Sequence, residues 1–474
     1  MGYDNITIPS KLRFRKMKEK LRVCAVFDIG KTNKKLLIFD QNYRIIKEEQ
    51  TQFEEILDDD GFPCDDLIRL SSWLKNSFEN ILQNSESGDV AYEIVGLNIS
   101  AYGASFVQLN AEGKPLTPLY NYLKDFSKKL RQQFVKSHGN DVFTATASPE
   151  LGMLNSGLQL YWLKYEKPEI FHQIRYTLHL PQYCSFLFTN NPVSEITGVG
   201  CHTLLWDFQK NDYHAWVEAE HLHSVQQKPL PSNTIDTNNK QMTVGIGIHD
   251  SSSALVPYLK SFDEKFILLS TGTWAISINP FNDEPLTETE LRKDCLCYLN
   301  YEGKPVKASR LFAGNEHERQ TKHLAEYFEK EVGYYKQVKF DHDLVRLLRN
   351  KFKQATPDTA DVGLLKDCPF VERNINLFKT YEEAYHQFML DLVAQQVASL
   401  SLVMGRSNPK KIYVDGGFSK NEIYMSLLAE TYFNKQVFAS EIAQASALGA
   451  ALVIHEHWNT NPIPEQLIQL KRYF

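Results

Sequence analysis

The sequence predicts an α/β protein built from two similar domains that face one another across a cleft. Three observations carry this expectation. The chain has 474 residues, more than the ~250–300 at which a single hydrophobic core stops growing, so two domains are expected. Residues 23–40, VCAVFDIGKTNKKLLIFD, read as a strand, a tight polar turn and a returning strand. Residues 265–280, KFILLSTGTWAISINP, repeat that arrangement early in the second half. A polar, Pro-containing stretch at 226–241 separates the halves and sets the expected domains at 1–243 and 244–474.

Composition narrows the class. Hydrophobic residues make up 43% of the chain and the net charge is -6, which gives no electrostatic footprint for nucleic acid. No apolar run reads as long enough to span a bilayer, so no membrane partner is expected. The basic first 22 residues lack the apolar segment of a secretory signal. The seven cysteines are odd in number, scattered, and mostly set in apolar runs, which points to reduced core residues and a cytoplasmic setting. Cys295 and Cys297 have no second pair at zinc spacing.

The elements follow in order. After the first hairpin, Tyr43 to Thr51 continues the sheet. Asp58-Asp59-Asp60-Gly61 is an acidic turn without the spaced ligands of a calcium loop. From Asp65 to Leu82, Leu67, Leu70, Trp73, Leu74, Phe78 and Leu82 fall at helical spacing, a core-facing helix. Tyr92 to Ser100 is a strand ending in Ala101-Tyr102-Gly103, a polar and aromatic strand end of the kind where ligands sit in α/β sheets. In the second half, Val244 to Tyr258 is a glycine-rich run leading into a helix. Thr380-x-x-Glu383 and Ser419-x-x-Glu422 read as capping boxes. Between the boxes lie a long apolar helix, the strand Lys411 to Asp415 and the turn Gly416-Gly417-Phe418. Ala443 to Ile454 is a helix rich in small residues. Residues 335–371 resist assignment.

The hairpin tips carry the chemistry. Asp28, Gly30, Lys31, Thr32 and Asn33 combine a carboxylate, a close-approach glycine, a cation and a hydroxyl. These are the parts that hold a polyphosphate and its magnesium. Thr271, Gly272 and Thr273 form the opposed tip, where a second set of backbone N–H groups could grip the same phosphates. Gly416 and Gly417, between a strand end and a helix, are a further close-approach site. Asp250, after the Gly245–Gly247 run, is placed to accept a hydroxyl proton in phosphoryl transfer; an N-cap role for it is the plain alternative. Lys31 either neutralises phosphate or points into solvent.

Taken together, FDIGKTN, GIHDSSSA, LLSTGTW and YVDGGFSKN, in this order and spacing, resemble the FGGY carbohydrate kinases of the actin–hexokinase–Hsp70 ATPase superfamily, nearest the rhamnulokinase and fuculokinase branch. The resemblance implies two ribonuclease H-like domains of the actin-like ATPase fold, with a small-molecule sugar and ATP between them. It implies Mg²⁺ organised by Asp28, and phosphates beside Thr32, Gly272 and Thr273. It places the nucleotide along Gly416, Gly417 and Asn421, and makes Asp250 the general base. On the sugar side it implies Tyr102, Gly103, Gln108, Asp125 and His249. Lys31 and Asn33 depart from the hydroxyl residues commoner in the family, and Tyr122-Leu-Lys-Asp125 lacks the arginine of the family's sugar segment.

The expected activity is therefore ATP-dependent phosphorylation of a ketose or related polyol. The rival from another class is an ATP- and sugar-binding regulator of the same fold, against which Asp250 counts. A chaperone-like ATPase would need a peptide-binding domain, for which no segment is evident. The oligomeric state is left open, a homodimer included.

Overall fold

The computed structural model describes residues 20–85, 91–225, 227–236, 242–352 and 367–474. Residues 1–19 of the basic N-terminal segment, and residues 226 and 237–241 of the stretch between the halves, lie outside these residues.

The first hairpin forms as read. Strand β1 (Leu21–Ile29) has Val23 to Phe27 fully buried, as a continuous apolar run in a sheet covered on both faces requires. Its tip is closed by the Gly30 N–H bonding the Asn33 carbonyl at 2.9 Å. Strand β2 (Lys34–Asp40) returns antiparallel, and β3 (Ile45–Thr51) extends the meander. Helix α1 (Leu67–Gln83), capped by Asp66 through the Arg69 N–H, buries Leu67, Leu70, Leu74 and Phe78. It feeds β4 (Tyr92–Ala101), which pairs parallel with β1 on the side away from β2. Three short strands complete the sheet: β5 (Ile235–Asp236), β6 (Thr243–Gly245) and β7 (Ile248–His249). The order is β5-β6-β4-β1-β2-β3, with β7 also on β4. The expected 243/244 boundary thus falls inside β6, and the first sheet runs on to His249.

Helix α2 (Asp250–Ser261) leaves directly from β7. The second sheet then repeats the first. Strands β8 (Phe266–Thr271) and β9 (Ala275–Asn279) form the second hairpin, and β10 (Cys295–Leu299) and β11 (Pro305–Leu311) add to its outer edge. Helix α3 (Ala313–Tyr327) and the long α4 (Tyr381–Met404) cover the sheet. Strand β12 (Lys411–Gly416) lies parallel to β8. Helix α5 (Glu422–Thr431), β13 (Gln436–Glu441), helix α6 (Ala445–Val453) and β14 (Gln469–Tyr473) finish the chain order. The sheet reads β10-β11-β9-β8-β12-β13-β14. In both sheets an antiparallel three-strand meander is followed by two parallel strands, β3-β2-β1-β4-β6 and β11-β9-β8-β12-β13. What began as a repeated hairpin is a repeat of the whole sheet, the ribonuclease H-like pair that was expected.

Three local expectations change. Helix α4, at 24 residues, is long and apolar enough by composition to cross a membrane, but here it is the core helix of the second sheet, buried on nearly every face. Its cap is Thr380, whose hydroxyl accepts the Glu383 N–H, while the Glu383 carboxylate takes the Lys379 N–H. The Glu383 bond thus falls one residue short of the Thr380 N–H that a capping box requires, and the second capping box does not form. Ser419 donates to the Gly416 carbonyl, and Asn421 caps α5 by accepting the Tyr424 N–H at 3.1 Å.

Candidate active site

Register brings two carboxylates to the same end of neighbouring strands in the first sheet. Asp28 pairs with Ser100 across β1 and β4, and Ser100 pairs with Ile248 across β4 and β7. Asp28 therefore leaves the end of one strand while Asp250 begins the helix after a strand two places away. The charge of Asp250 reaches Asp28 and raises its pKa, although burial is the larger cause, and the group is pushed up to about 6. The Asp28 Oδ2 accepts a hydrogen bond from Ser446 Oγ at 2.8 Å, at the start of α6. The Ser100 hydroxyl lies beside Asp28 and lowers its pKa, but falls short of a well-formed hydrogen bond.

Asp250 is the first residue of α2, and His249 holds the N-cap position. The plain N-cap reading of Asp250 is thus replaced. Its Oδ1 accepts from the Ser251 N–H at 2.6 Å and the Ser251 hydroxyl at 3.2 Å. Its side chain is 32% exposed, so it looks into a recess rather than into packed core. Loss of hydration there pushes its carboxyl up to about 6.

His249 lies against it, Nε2 to Oδ1 3.3 Å. Burial lowers the imidazole to about 4, so it is neutral near pH 7. The His249 backbone N–H bonds Thr197 Oγ1, and ring Nδ1 sits 3.4 Å from Ser252 Oγ. Gly103 exists for this ring: a Cβ there would stand 2.6 Å from His249 Nε2.

The second tip is knitted to the Gly416 turn. The Gly417 N–H donates to the Thr271 carbonyl at 2.8 Å, the Phe418 N–H to Thr271 Oγ1 at 3.0 Å, and Thr271 Oγ1 to the Asp415 carbonyl. Gly416 has φ +77, and a Cβ there would overlap the Thr271 carbonyl oxygen at 1.8 Å. Gly272 and Thr273 remain exposed. Beside them opens a cavity of about 720 Å³ lined by Gly272, Gly314, Gly417, Phe418, Asn421 and Tyr335 among others. A hollow of about 820 Å³ between His342 and Phe474 involves none of the predicted residues.

Several predicted residues take other partners. Lys31 is held by carboxylates: Nζ bonds Asp65 Oδ2 at 2.6 Å and Glu55 Oε1 at 2.9 Å. Asn33 Oδ1 accepts from the side-chain amides of Gln50 and Gln52. Both polar ends of Asn421 are engaged, one as the α5 cap and the other on Tyr385. Gln108 is buried and accepts from Thr177 Oγ1 at 2.6 Å, in a pocket of core hydrogen bonds. Asp125 is exposed at the surface. Tyr102 is buried with its hydroxyl on Asp65 at 2.7 Å. Thr32 is exposed at its tip. The acidic turn is neutralised by lysines, Lys124 on Asp58 and Asp60 and Lys167 on Asp59 and Asp60.

Sequence reasoning missed Ser446, Asp65 and Gly314. A signal existed for two. Gly314 opens a helix against the second tip, where a Cβ would overlap the Gly272 carbonyl at 1.9 Å. Ser446 lies in the small-residue helix, whose Gly449 packs against the Ser253 carbonyl of α2. Nothing local marks Asp65, whose importance comes from residues 31–37 positions away.

Comparison with known proteins agrees with this architecture. The N-terminal domain profile of the FGGY family of carbohydrate kinases matches residues 23–232, and the carbohydrate kinase FGGY C-terminal domain profile matches 263–462. A rhamnulokinase of Halalkalibacterium halodurans is 26% identical over 275 residues, 56% of this chain and only 57% of that one, just over half its length. A rhamnulokinase of Oceanobacillus iheyensis is 22% identical over 451 residues, 90% of this chain and 91% of that one. In fold, the chain is similar to a carbohydrate kinase from Novosphingobium aromaticivorans (TM-score 0.76, 21% identity, 96% of this chain and 94% of that one). It is also similar to a ligand-bound xylulose kinase from Lactobacillus acidophilus (TM-score 0.75, 15% identity, 96% and 94%). The duplicated sheets, the two tips and the matches to both halves lead to one conclusion: the chain belongs to the FGGY family of carbohydrate kinases.

Proposed function

We propose that this chain transfers the γ-phosphoryl group of ATP to a hydroxyl of a ketose or related polyol of the rhamnulose, fuculose or xylulose kind. The observation that carries the reading is the placement of Asp250, a cleft carboxylate with a pKa raised to about 6, across from Asp28. A base tuned toward neutral pH can take a proton and still be free near pH 7.

In this reading the nucleotide occupies the cavity beside Gly272, Gly417 and Phe418. Backbone N–H groups of Lys31 and Thr32 on the first tip and of Thr273 on the second meet its phosphates, the Gly30 and Gly272 N–H groups being spent on closing their own tips, and Gly416 allows close approach. Asp250 removes the acceptor's hydroxyl proton as its oxygen bonds to the γ-phosphorus. The bond from that phosphorus to the β–γ bridging oxygen breaks, and ADP leaves. His249, held neutral, fixes the Asp250 carboxylate without adding charge. The oxygen-only donors at Asp28 suit a hard cation. Magnesium bound there supplies charge neutralisation for the phosphates.

The test is acceptor-stimulated ADP release across L-rhamnulose, L-fuculose, D- and L-xylulose, D- and L-ribulose and glycerol. Strong stimulation by at least one of them is expected. A flat response across the panel would favour the nucleotide-binding regulator.

A further inference from the structure

The reading above leaves Lys31 unused, although it stands three residues beyond Asp28 on the same tip. Its surroundings are specific. Asp65 receives three donors: Lys31 Nζ at 2.6 Å, Lys34 Nζ at 3.0 Å and the Tyr102 hydroxyl at 2.7 Å. Lys34 is fully buried and also bonds the Lys31 carbonyl at 2.8 Å, so it neutralises Asp65 without help. Lys31 is 26% exposed. Of its three N–H donors, two are taken by Asp65 and Glu55, and one remains. The ammonium also lies 6.0 Å from the centre of the Tyr102 ring.

This cluster joins the proposed acceptor recess by contact. Tyr102 precedes Gly103, on which His249 rests. The Tyr102 and Tyr122 rings are 6.1 Å apart. Tyr122 in turn lies within the fields of Lys31, Asp65, Glu55 and Asp250 together. Lys31, over the Tyr102 ring, and His249 with Asp250, against Gly103, thus sit on adjacent residues just past the end of β4, and Lys31 is not among the residues lining the Gly272–Gly417 cavity.

We propose that Lys31, aimed by Asp65 and Glu55, donates its remaining N–H to a hydroxyl of the acceptor, and that this site takes neutral polyols rather than sugar acids. The charges of Lys31, Lys34, Asp65 and Glu55 sum to zero. The carboxylates of Asp28 and Asp250 stand nearby. An anionic acceptor would meet no uncompensated cation, whereas hydroxyls find matched donors and acceptors. This inference rests on the kinase reading.

The test compares wild type, Lys31→Met and Lys31→Arg with the best neutral ketose of the panel and with D-gluconate, alongside MgADP binding by calorimetry. Loss of a charge-assisted hydrogen bond should raise the acceptor KM of Lys31→Met about 10- to 100-fold. The KM for ATP and the MgADP affinity should stay within about twofold, which also reports an intact fold. Lys31→Arg should recover part of the loss. A change in nucleotide affinity with acceptor KM untouched would overturn the inference, as would wild type preferring D-gluconate over every neutral acceptor. Both of those results leave the kinase reading standing. Wild type that phosphorylates neither class removes the kinase reading and this inference with it.

Discussion

At the scale of single residues, the account turns on two carboxylates that burial holds near pKa 6. A base must be deprotonated to act, so kcat/KM should be level above about pH 7 and fall through about pH 6 as protons return. A pH–rate profile of the free enzyme checks this; an acid limb near pH 4 would mean that neither group is perturbed. The same shift carries a stability consequence. A carboxylate whose folded pKa is raised above its unfolded value weakens the fold as pH climbs from about 4 to 6, and the penalty persists above that. Asp250→Asn should therefore raise the melting temperature at pH 7.5 and leave it nearly unchanged at pH 4. Gly103 makes the finest test of geometry. Gly103→Ala would push on the His249 ring from 2.6 Å, and displacement of the group beside the base by about 1 Å should cost roughly 10²-fold in kcat. Steady-state kinetics measures it, and near wild-type turnover would mean that His249 does not align Asp250.

At the scale of elements, helices α2 and α6 are the joint on which the site rests. Ser253 on α2 donates to the Ser446 carbonyl at 2.7 Å, and Ser446 holds Asp28. Gly449 lets the helices touch, since a Cβ there would overlap the Ser253 carbonyl at 1.8 Å. Gly449→Ala should destabilise the protein by about 1–3 kcal/mol, as overpacking does. It should also lower turnover, because the start of α6 would move away from Asp28. Thermal unfolding with parallel kinetics checks both effects. These elements were legible to different degrees in the sequence. Hairpins with continuous apolar strands announced themselves, because buried parallel sheets need such runs. The small-residue helix was visible, but its partner was not, since 193 positions separate Ser253 from Ser446. The capping box at Ser419 misled because Asn421, two residues on, caps as well and starts the helix where it stands. The partners of Lys31, Glu55 and Asp65, were not legible because they are brought to it only by folding.

At the scale of the whole molecule, two sheets of the same plan stand with their tips toward one cleft. The first contributes Asp28, the Gly30–Asn33 tip and, through β7, the start of α2. The second contributes the Gly272–Thr273 tip and the Gly416–Gly417 turn. Contact between the halves is also direct, for Gly200 lies against Leu299, leaving no room for a Cβ at 2.6 Å. On the proposed reading, the acceptor would meet residues of the first half and the nucleotide the cavity of the second. The measurement that tests the central claim most directly is single-turnover transfer from γ-labelled ATP to the best acceptor by Asp250→Asn, with MgADP affinity measured on the same preparation. A fall in the transfer rate by roughly 10²–10⁴, with nucleotide affinity preserved, is the expected result. Transfer at the wild-type rate would contradict the assignment of Asp250 as the base.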